Sequence, residues 1–254
     1  MKIQPYIANY ANLQPNRVNA KPQNNSCAFR GEADDFNYSR YGLYNYRDDY
    51  YKNKIPLPEK FKKYTRATIG SPVTDERMKD FLINSFKDIG NNCYKGGLAG
   101  ASDYVKQLSE CGIKRFIMLC EPKETGIAEK CEKFGVPLSA IHIPDYPLDS
   151  ELQIKKFRSK ITSQLFVDAM LALREGNCFV GCESGNIRTK KFLSVIQMLD
   201  PGCKLNLIGL EPEKDDCLIA RIVYNRLSDN VKKLLGYTED FEKQLLETLK
   251  RFKV

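Results

Sequence analysis

The sequence has no tryptophan and a single histidine, His142, among its 254 residues. The sequence therefore offers too few histidines to favour a mixed His/Cys zinc site or a Ser-His-Asp triad. No apolar run approaches the roughly 18 residues that a membrane span needs, and the first residues lack the apolar core of a signal peptide. We therefore expect no membrane span and no secretory leader, and any chemistry is expected to depend on cysteine, carboxylate and arginine side chains.

The nine cysteines show no framework spacing, because their number is odd and no Cys-x-x-Cys pair occurs. This usage predicts reduced thiols and a cytoplasmic protein. Forty Lys and Arg residues against thirty-two Asp and Glu residues give a net charge of +8, which favours anionic partners. Because the charges are interspersed and form no basic block, we expect no nucleic-acid partner.

Residues 1–60 differ in composition from the rest of the chain. Asn, Gln and Pro dominate their first part, and eight of the fourteen tyrosines lie within the first 51 positions. This composition predicts a flexible, Asn/Tyr-rich N-terminal extension that packs only in part on the body of the protein. The alternative is a Tyr-rich segment that docks a partner. Residues 61–254 have the apolar pattern of one folded domain.

Short apolar strands alternate with amphipathic helices in this second region. We predict strands at 115–120, 138–143 and 177–180. Helices are predicted from Thr74 to Ile89, from Ser102 to Cys111, at 127–134, from Ser150 to Gly176, after Thr189, and at 216–227, 229–235 and 238–252. This alternation predicts an α/β fold, with a mostly parallel central sheet of about four to five strands flanked by helices and with extra C-terminal helices.

The segment from Val180 to Thr189 joins the third predicted strand to a helix. It places the Cys182 thiol and the Arg188 guanidinium six positions apart, with Gly185 between them. A short loop at such a junction points backbone N–H groups and the positive end of the helix dipole into one hollow, which binds anions. The same field favours a Cys182 thiolate, and Arg188 can bind two oxygens of a tetrahedral oxyanion.

Chance does not explain this loop well. Nine cysteines and thirteen arginines predict about half a Cys-x5-Arg match, but a central Gly and a following Ser or Thr reduce that expectation to roughly 0.002. The loop resembles the Cys-x5-Arg-(Ser/Thr) signature of the protein tyrosine phosphatase superfamily. Residues Tyr94–Leu98, Asp103–Leu108 and Gly112–Ile117 resemble the opening of its dual-specificity branch, so the likeness covers about 90–200.

The resemblance implies a catalytic role for three residues of the loop. Cys182 would be the nucleophile, Arg188 would bind the phosphoryl group, and Thr189 would hydrogen-bond the sulfur as it leaves. The phosphate oxygens would be held by the loop amides of Glu183, Ser184, Gly185, Asn186, Ile187 and Arg188. No metal or cofactor is implied. The superfamily usually has His before the nucleophile, where this chain has Gly181, so we expect weakened activity, with a binding-only pseudophosphatase as the alternative.

The resemblance also implies a general acid in the loop after the second predicted strand, where two carboxylates are available. Asp145 directly follows the strand in an Ile-Pro-Asp context like that of the superfamily, and we favour it. Asp149 precedes the helix that begins at Ser150, where its charge suits the helix dipole, and it is the alternative. His142, inside the strand pattern, is expected in the core or behind the site.

Two further side chains bear on regulation and substrate. Cys120 ends the first predicted strand, where some relatives carry a thiol that traps the oxidised nucleophile, although a buried structural cysteine is the alternative. Glu183 opposes highly charged substrates, while Lys190 and Lys191 either offset that charge or are solvated. We therefore expect a protein tyrosine or dual-specificity phosphatase acting on a phosphorylated protein or small phosphomonoester. An inositol phosphate or RNA 5′-phosphate substrate is the alternative.

Overall fold

The structure is a computed structural model that describes residues 69–121, 125–207 and 209–251. Residues 1–60, including the predicted Tyr-rich docking segment, lie outside the described residues. Their role and the proposed boundary near residue 60 therefore stay predictions.

Five strands form one sheet in the order β1-β2-β5-β3-β4. Their bounds are Lys87–Asp88 (β1), Tyr94–Gly97 (β2), Arg115–Met118 (β3), Leu138–Ala140 (β4) and Cys178–Cys182 (β5). Only β1 is antiparallel to its neighbour, and the other three pairings are parallel. The predicted α/β class, with a mostly parallel sheet of four to five strands, is confirmed.

Strand β5 lies at the centre of the sheet, between β2 and β3. All five of its residues are buried, so both faces of the sheet are covered at this point. Because β2, β5 and β3 run parallel, their carboxyl ends meet at one edge, which is where sites form in sheets of this kind. Cys182 is the last residue of β5 and lies at that edge.

Nine α-helices and one 3₁₀ segment are assigned within the described residues. The helices are Leu98–Ala101 (α1), Val105–Glu110 (α2), Ile127–Phe134 (α3), Glu151–Lys160 (α4), Ser163–Glu175 (α5), Ile187–Leu199 (α6), Lys214–Tyr224 (α7), Asp229–Leu235 (α8) and Glu239–Arg251 (α9). Helix α6 leaves the sheet directly after the Cys182 loop and is buried on most of its surface. It packs against both β5 and α7.

The predicted helix from Thr74 to Ile89 is wrong. Residues 76–80 form only turns, and the Asp75 side chain bonds the Arg77 backbone and guanidinium instead of starting a helix. Leu82 is exposed and Ile89 packs in the core beside the sheet, so the apolar spacing reflects separate contacts. The predicted cap at Ser102 is also misplaced. Its hydroxyl donates to the Ala99 carbonyl inside a helical run that already began at Leu98.

The helix predicted from Ser150 to Gly176 is two helices. Ile161 and Thr162 adopt extended backbone angles between α4 and α5. The Arg226 guanidinium donates to the carbonyls of Ile161 at 2.7 Å and Arg158 at 3.0 Å, which satisfies acceptors that the break would otherwise leave open. A distant arginine therefore stabilises the break between α4 and α5, which the helical spacing of apolar residues does not reveal.

Candidate active site

The Cys182 loop, residues 182–189, connects β5 to the first turn of α6. Gly185 has a φ of +73°, and a Cβ on it would lie 2.3 Å from the carbonyl carbon of Gly96. Glycine is therefore required twice over, by the left-handed backbone and by the contact with β2. This glycine turns the chain sharply enough for the Thr189 hydroxyl to reach Cys182, and Arg188 is buried in the same loop.

The Thr189 hydroxyl contacts both the backbone and the side chain of Cys182. The Thr189 hydroxyl accepts from the Cys182 N–H at 3.1 Å and donates to Cys182 Sγ at 3.3 Å. Both residues are almost completely buried. A hydroxyl donor aimed at a sulfur stabilises negative charge on that sulfur, and its lone pair satisfies a buried amide at the same time.

The Arg188 guanidinium lies between two carboxylates. Its Nη2 is 3.9 Å from Asp145 Oδ2 and 3.7 Å from Glu183 Oε2. Arg188 is buried, whereas the two carboxylates are partly exposed. The structure thus brings together the predicted phosphoryl-binding Arg188, the favoured acid Asp145 and the loop residue Glu183. At these separations the two carboxylates form long-range ion pairs with the arginine.

Lys95 and Ser85 support the loop from behind. The Lys95 ammonium is buried, and it donates to the carbonyls of Gly185 at 3.4 Å and Ser85 at 3.3 Å. The Ser85 hydroxyl donates to Asn186 Oδ1 at 2.6 Å, which holds the residue before α6. Among the remaining predicted phosphate-binding residues, Ser184 is partly buried and Ile187 is exposed. The side chains of Lys95 and Ser85 therefore fix the loop at Gly185 and Asn186.

The two candidate acids lie in different surroundings within the 141–150 loop. Asp145 lies near Arg188, as described above. Asp149 is exposed and precedes Ser150, the N-cap of α4, whose hydroxyl accepts from the Gln153 N–H at 3.3 Å. Between them Leu148 is buried in the core, so the loop is anchored in the middle.

A side chain is sterically excluded at Gly181, where the superfamily usually has His. A Cβ on Gly181 would lie 2.3 Å from the Gly96 carbonyl oxygen and within about 3 Å of Leu98. Because the first obstacle is backbone, a histidine here would require β2 and β5 to separate. The glycine is therefore part of how these two strands pair.

His142 and Cys120 each lie two residues beyond a strand, His142 after β4 and Cys120 after β3. His142 is half-buried, with its Nδ1 3.7 Å from Glu121 Oε1, and burial followed by the charge of Lys160 lowers the pKa of this imidazole. It therefore stays neutral near pH 7, and it lies at the start of the 141–150 loop. Cys120 is buried two residues beyond β3. The eight cysteines within the described part of the chain are all free thiols, so a role for Cys120 in trapping oxidised Cys182 stays a prediction.

The burial of one lysine, Lys191, and its partner were not predicted from the sequence. Lys191 was expected either to offset Glu183 or to be solvated, but it is buried and pairs with Asp215, where its Nζ lies 2.8 Å from Oδ2. Its neighbour Lys190 pairs with Glu213 and is more exposed. No sequence signal separates two adjacent lysines on an early helical turn, because only the packing of α7 against α6 decides which of them is enclosed.

Within residues 69–121, 125–207 and 209–251, no group of three or more His, Cys, Asp or Glu side chains is arranged to hold a metal ion. A search of the same residues finds no helix with the length and apolar character needed to cross a membrane.

Fold and site together define an α/β protein with a buried cysteine and a buried arginine in one loop at the central strand end. No protein-family model and no curated protein sequence matches the chain. Among solved structures, it is similar to the core catalytic domain of PP-IP phosphatase SIW14 from S. cerevisiae in complex with citrate, with 12% identity over 66% of this chain and 93% of that chain and a TM-score of 0.33. It is also similar to PTPMT1 in complex with PI(5)P, with 16% identity over 64% of this chain and 97% of that chain and a TM-score of 0.31.

Proposed function

We propose that this protein is a cysteine-dependent phosphomonoesterase that acts through a phosphocysteine intermediate. The observation that carries the proposal is the arrangement around Cys182, with the Thr189 hydroxyl on its sulfur at 3.3 Å and a buried Arg188 in the same loop. A nucleophilic sulfur, a guanidinium that binds two phosphate oxygens and a nearby carboxylic acid are the groups that this reaction needs.

In the first step, the Cys182 thiolate attacks phosphorus while Arg188 and the loop amides hold the other phosphate oxygens. The sulfur–phosphorus bond forms as the ester phosphorus–oxygen bond breaks. Asp145 gives its proton to the departing oxygen, so that the product leaves as a neutral alcohol or phenol. Charge that develops on the phosphoryl oxygens is stabilised by donors that are already in place.

In the second step, a water molecule replaces the sulfur on phosphorus. Asp145, now a carboxylate, takes a proton from the water as the oxygen–phosphorus bond forms. The sulfur–phosphorus bond breaks and returns the electron pair to Cys182. The Thr189 hydroxyl then donates to the emerging thiolate, so that inorganic phosphate and the starting enzyme are regenerated.

Asp145 is our choice of general acid because its carboxylate lies 3.9 Å from the Arg188 guanidinium. A phosphoryl group bound to Arg188 would place its ester oxygen within reach of a carboxyl at that position. Asp149 is better explained by the start of α4, since it directly precedes the N-cap Ser150.

The proposed substrate is a phosphotyrosine- or phosphoserine-type monoester. Glu183 supports this choice, because its carboxylate lies 3.7 Å from Arg188 and adds negative charge where a second phosphate of the substrate would be repelled. Inositol phosphates and RNA 5′-phosphates are the alternative class. A panel of phosphopeptides, inositol phosphates, a phosphoinositide and 5′-phosphorylated RNA separates them, and a preference above about tenfold for a non-peptide substrate would overturn the protein-substrate proposal.

A pseudophosphatase that binds phosphorylated partners without turnover is the second candidate, and Gly181 is the observation that favours it. Iodoacetamide labelling distinguishes the two, because an active enzyme needs the Cys182 thiolate at neutral pH. We expect Cys182 to react much faster than the other thiols and to be protected by phosphate. Uniform labelling of the thiols would favour the binding protein.

The function is tested by hydrolysis of a generic aryl phosphate in the presence of a chelator. Cys182→Ser should abolish turnover while vanadate still binds, because the loop and Arg188 are unchanged. Cys111→Ser, which alters a partly buried thiol outside the loop, is the matched control and should retain the wild-type rate. Wild-type turnover by Cys182→Ser would exclude the mechanism.

A further inference from the structure

Lys191 connects the helix after the Cys182 loop to the loop that carries Asp145. It lies one turn beyond Arg188 on α6, and its Nζ donates to the Tyr146 carbonyl at 3.4 Å. The same ammonium is paired with Asp215 Oδ2 at 2.8 Å. Tyr146 is the residue directly after Asp145, so this lysine holds the backbone immediately beside the proposed acid.

Asp215 holds the same loop from the other side. It lies in the first turn of α7, and its two carboxylate oxygens each accept from the Leu148 N–H at 3.3 Å. The Lys191–Asp215 pair thus binds one carbonyl and one amide, at 146 and 148, and joins the loop to two helices. Both side chains are largely buried, so solvent competes little for these bonds.

We propose that Lys191 and Asp215 are positioning residues that hold the 141–150 loop with Asp145 over Arg188, and this inference rests on the proposed phosphatase function. Removal of either charge breaks a hydrogen bond to the loop backbone, at the Tyr146 carbonyl or the Leu148 N–H. The loop then moves Asp145 away from the ester oxygen. Phosphoryl binding by Arg188 and the loop amides does not depend on the pair. The loss should therefore appear in proton donation to the leaving group and not in oxyanion affinity.

The neighbouring pair Lys190–Glu213 provides a matched control. It also joins α6 to the start of α7, and it has the same charges. Within the part of the chain that the structure describes, neither member forms a hydrogen bond or an ion pair with the 141–150 loop. Lys190→Met therefore makes the same chemical change one residue away and leaves the loop attached.

The experiment compares phenyl phosphate, whose leaving group needs a proton, with p-nitrophenyl phosphate, whose leaving group needs it much less. For Lys191→Met and for Asp215→Asn we expect kcat on phenyl phosphate to fall about tenfold, which is part of the roughly 100-fold that a general acid contributes. The kcat on p-nitrophenyl phosphate and the inhibition constant of vanadate should each change less than about twofold. Lys191→Arg, which keeps a cation, should recover most of the rate. In an Asp145→Asn background, Lys191→Met should cost less than about a further twofold, because the pair acts through that acid.

A second measurement separates failure of this proposal from failure of the function. Hydrogen exchange of the Leu148 amide should be at least about tenfold faster in Lys191→Met and Asp215→Asn than in wild type or Lys190→Met. Equal leaving-group selectivity and equal Leu148 exchange in Lys190→Met and Lys191→Met would overturn the positioning role. If the wild-type protein hydrolyses no phosphate ester, the proposed phosphatase function is wrong. The hydrogen-exchange measurement still tests the structural part of the proposal in that case. Unchanged Leu148 exchange in Lys191→Met would show that the Lys191–Asp215 pair does not hold the loop.

Discussion

The Thr189 hydroxyl contacts Cys182 twice, because it accepts from the backbone N–H at 3.1 Å and donates to the sulfur at 3.3 Å. The proposed reaction requires negative charge on the sulfur before attack and again after the phosphoenzyme is hydrolysed, so this single side chain would contribute to two steps. A hydrogen bond to a charged group contributes about 1.5–3 kcal/mol, which corresponds to roughly 10- to 100-fold in rate.

We therefore predict that Thr189→Val lowers kcat by about 10- to 100-fold, because it removes the donor from sulfur and leaves the Cys182 amide without its acceptor. Thr189→Ser keeps the hydroxyl and should remain within several-fold of wild type. Steady-state kinetics with an aryl phosphate measure both. Equal rates for the valine and serine variants would show that the hydroxyl contributes nothing to the chemistry.

Glu183 is predicted to weaken oxyanion binding, because its carboxylate lies 3.7 Å from the Arg188 guanidinium that a phosphate must reach. Because Glu183 is partly exposed, solvent screens much of this charge, and we expect Glu183→Gln to lower the inhibition constant of inorganic phosphate about 3- to 10-fold. The effect should shrink as salt is added. Glu247→Gln, an exposed substitution on α9 with the same charge change, should leave phosphate inhibition unchanged. A weaker phosphate affinity in Glu183→Gln would contradict this account of Glu183.

The two loop carboxylates are predicted to fail in different ways. Asp145→Asn should lower kcat by about 100-fold or more on a poor leaving group and flatten the basic limb of the pH–rate profile. Asp149→Asn should cost about 0.3–1 kcal/mol of unfolding free energy through the start of α4, and its chemistry should stay intact. Kinetics and urea denaturation of both variants measure the difference. An inactive Asp149→Asn beside an active Asp145→Asn would reverse the assignment.

A buried carboxylate in α7 predicts the pH dependence of stability. Burial raises the pKa of Asp216 to about 6 from an ordinary value of 3.8. Because this carboxyl holds its proton more tightly in the folded state, its contribution to stability is fully present below the unfolded-state pKa. That contribution is lost as the pH rises through about 6, where the buried group must ionise. The free energy of unfolding of Asp216→Asn should therefore rise by on the order of 2 to 3 kcal/mol relative to that of wild type as the pH goes from 4 to 8. Urea titrations at the two pH values test this, and a constant difference between variant and wild type would contradict it.

The turn of the Cys182 loop could be predicted from the sequence because its determinants are local. Gly185 turns the chain, and the spacing from Cys182 to Thr189 then closes within one turn of α6. The parallel sheet was predictable for a similar reason, since β3 and β5 are short continuous apolar runs. Each of these signals lies within about ten residues, where spacing translates directly into geometry.

Elements that depend on distant contacts could not be predicted in this way. The break at Ile161 preserves the helical apolar spacing, and it is stabilised by Arg226, which lies far along the chain. Strand β2 was not assigned because its Gly96–Gly97 sequence lacks strand character, although those glycines allow its close approach to β5. The burial of Lys191 depends on its pairing with Asp215 on a different helix.

The central claim, a phosphoryl group carried on Cys182, is tested most directly by trapping. Wild-type protein and Asp145→Asn are mixed with an aryl phosphate that has a good leaving group, quenched in acid within the first turnover, digested and examined by mass spectrometry. The account predicts one phosphoryl group on the peptide that contains Cys182, more of it in Asp145→Asn because water attack is slowed, and none in Cys182→Ser. Turnover without a phosphorylated Cys182 peptide, or with the phosphoryl group on another residue, would contradict the account.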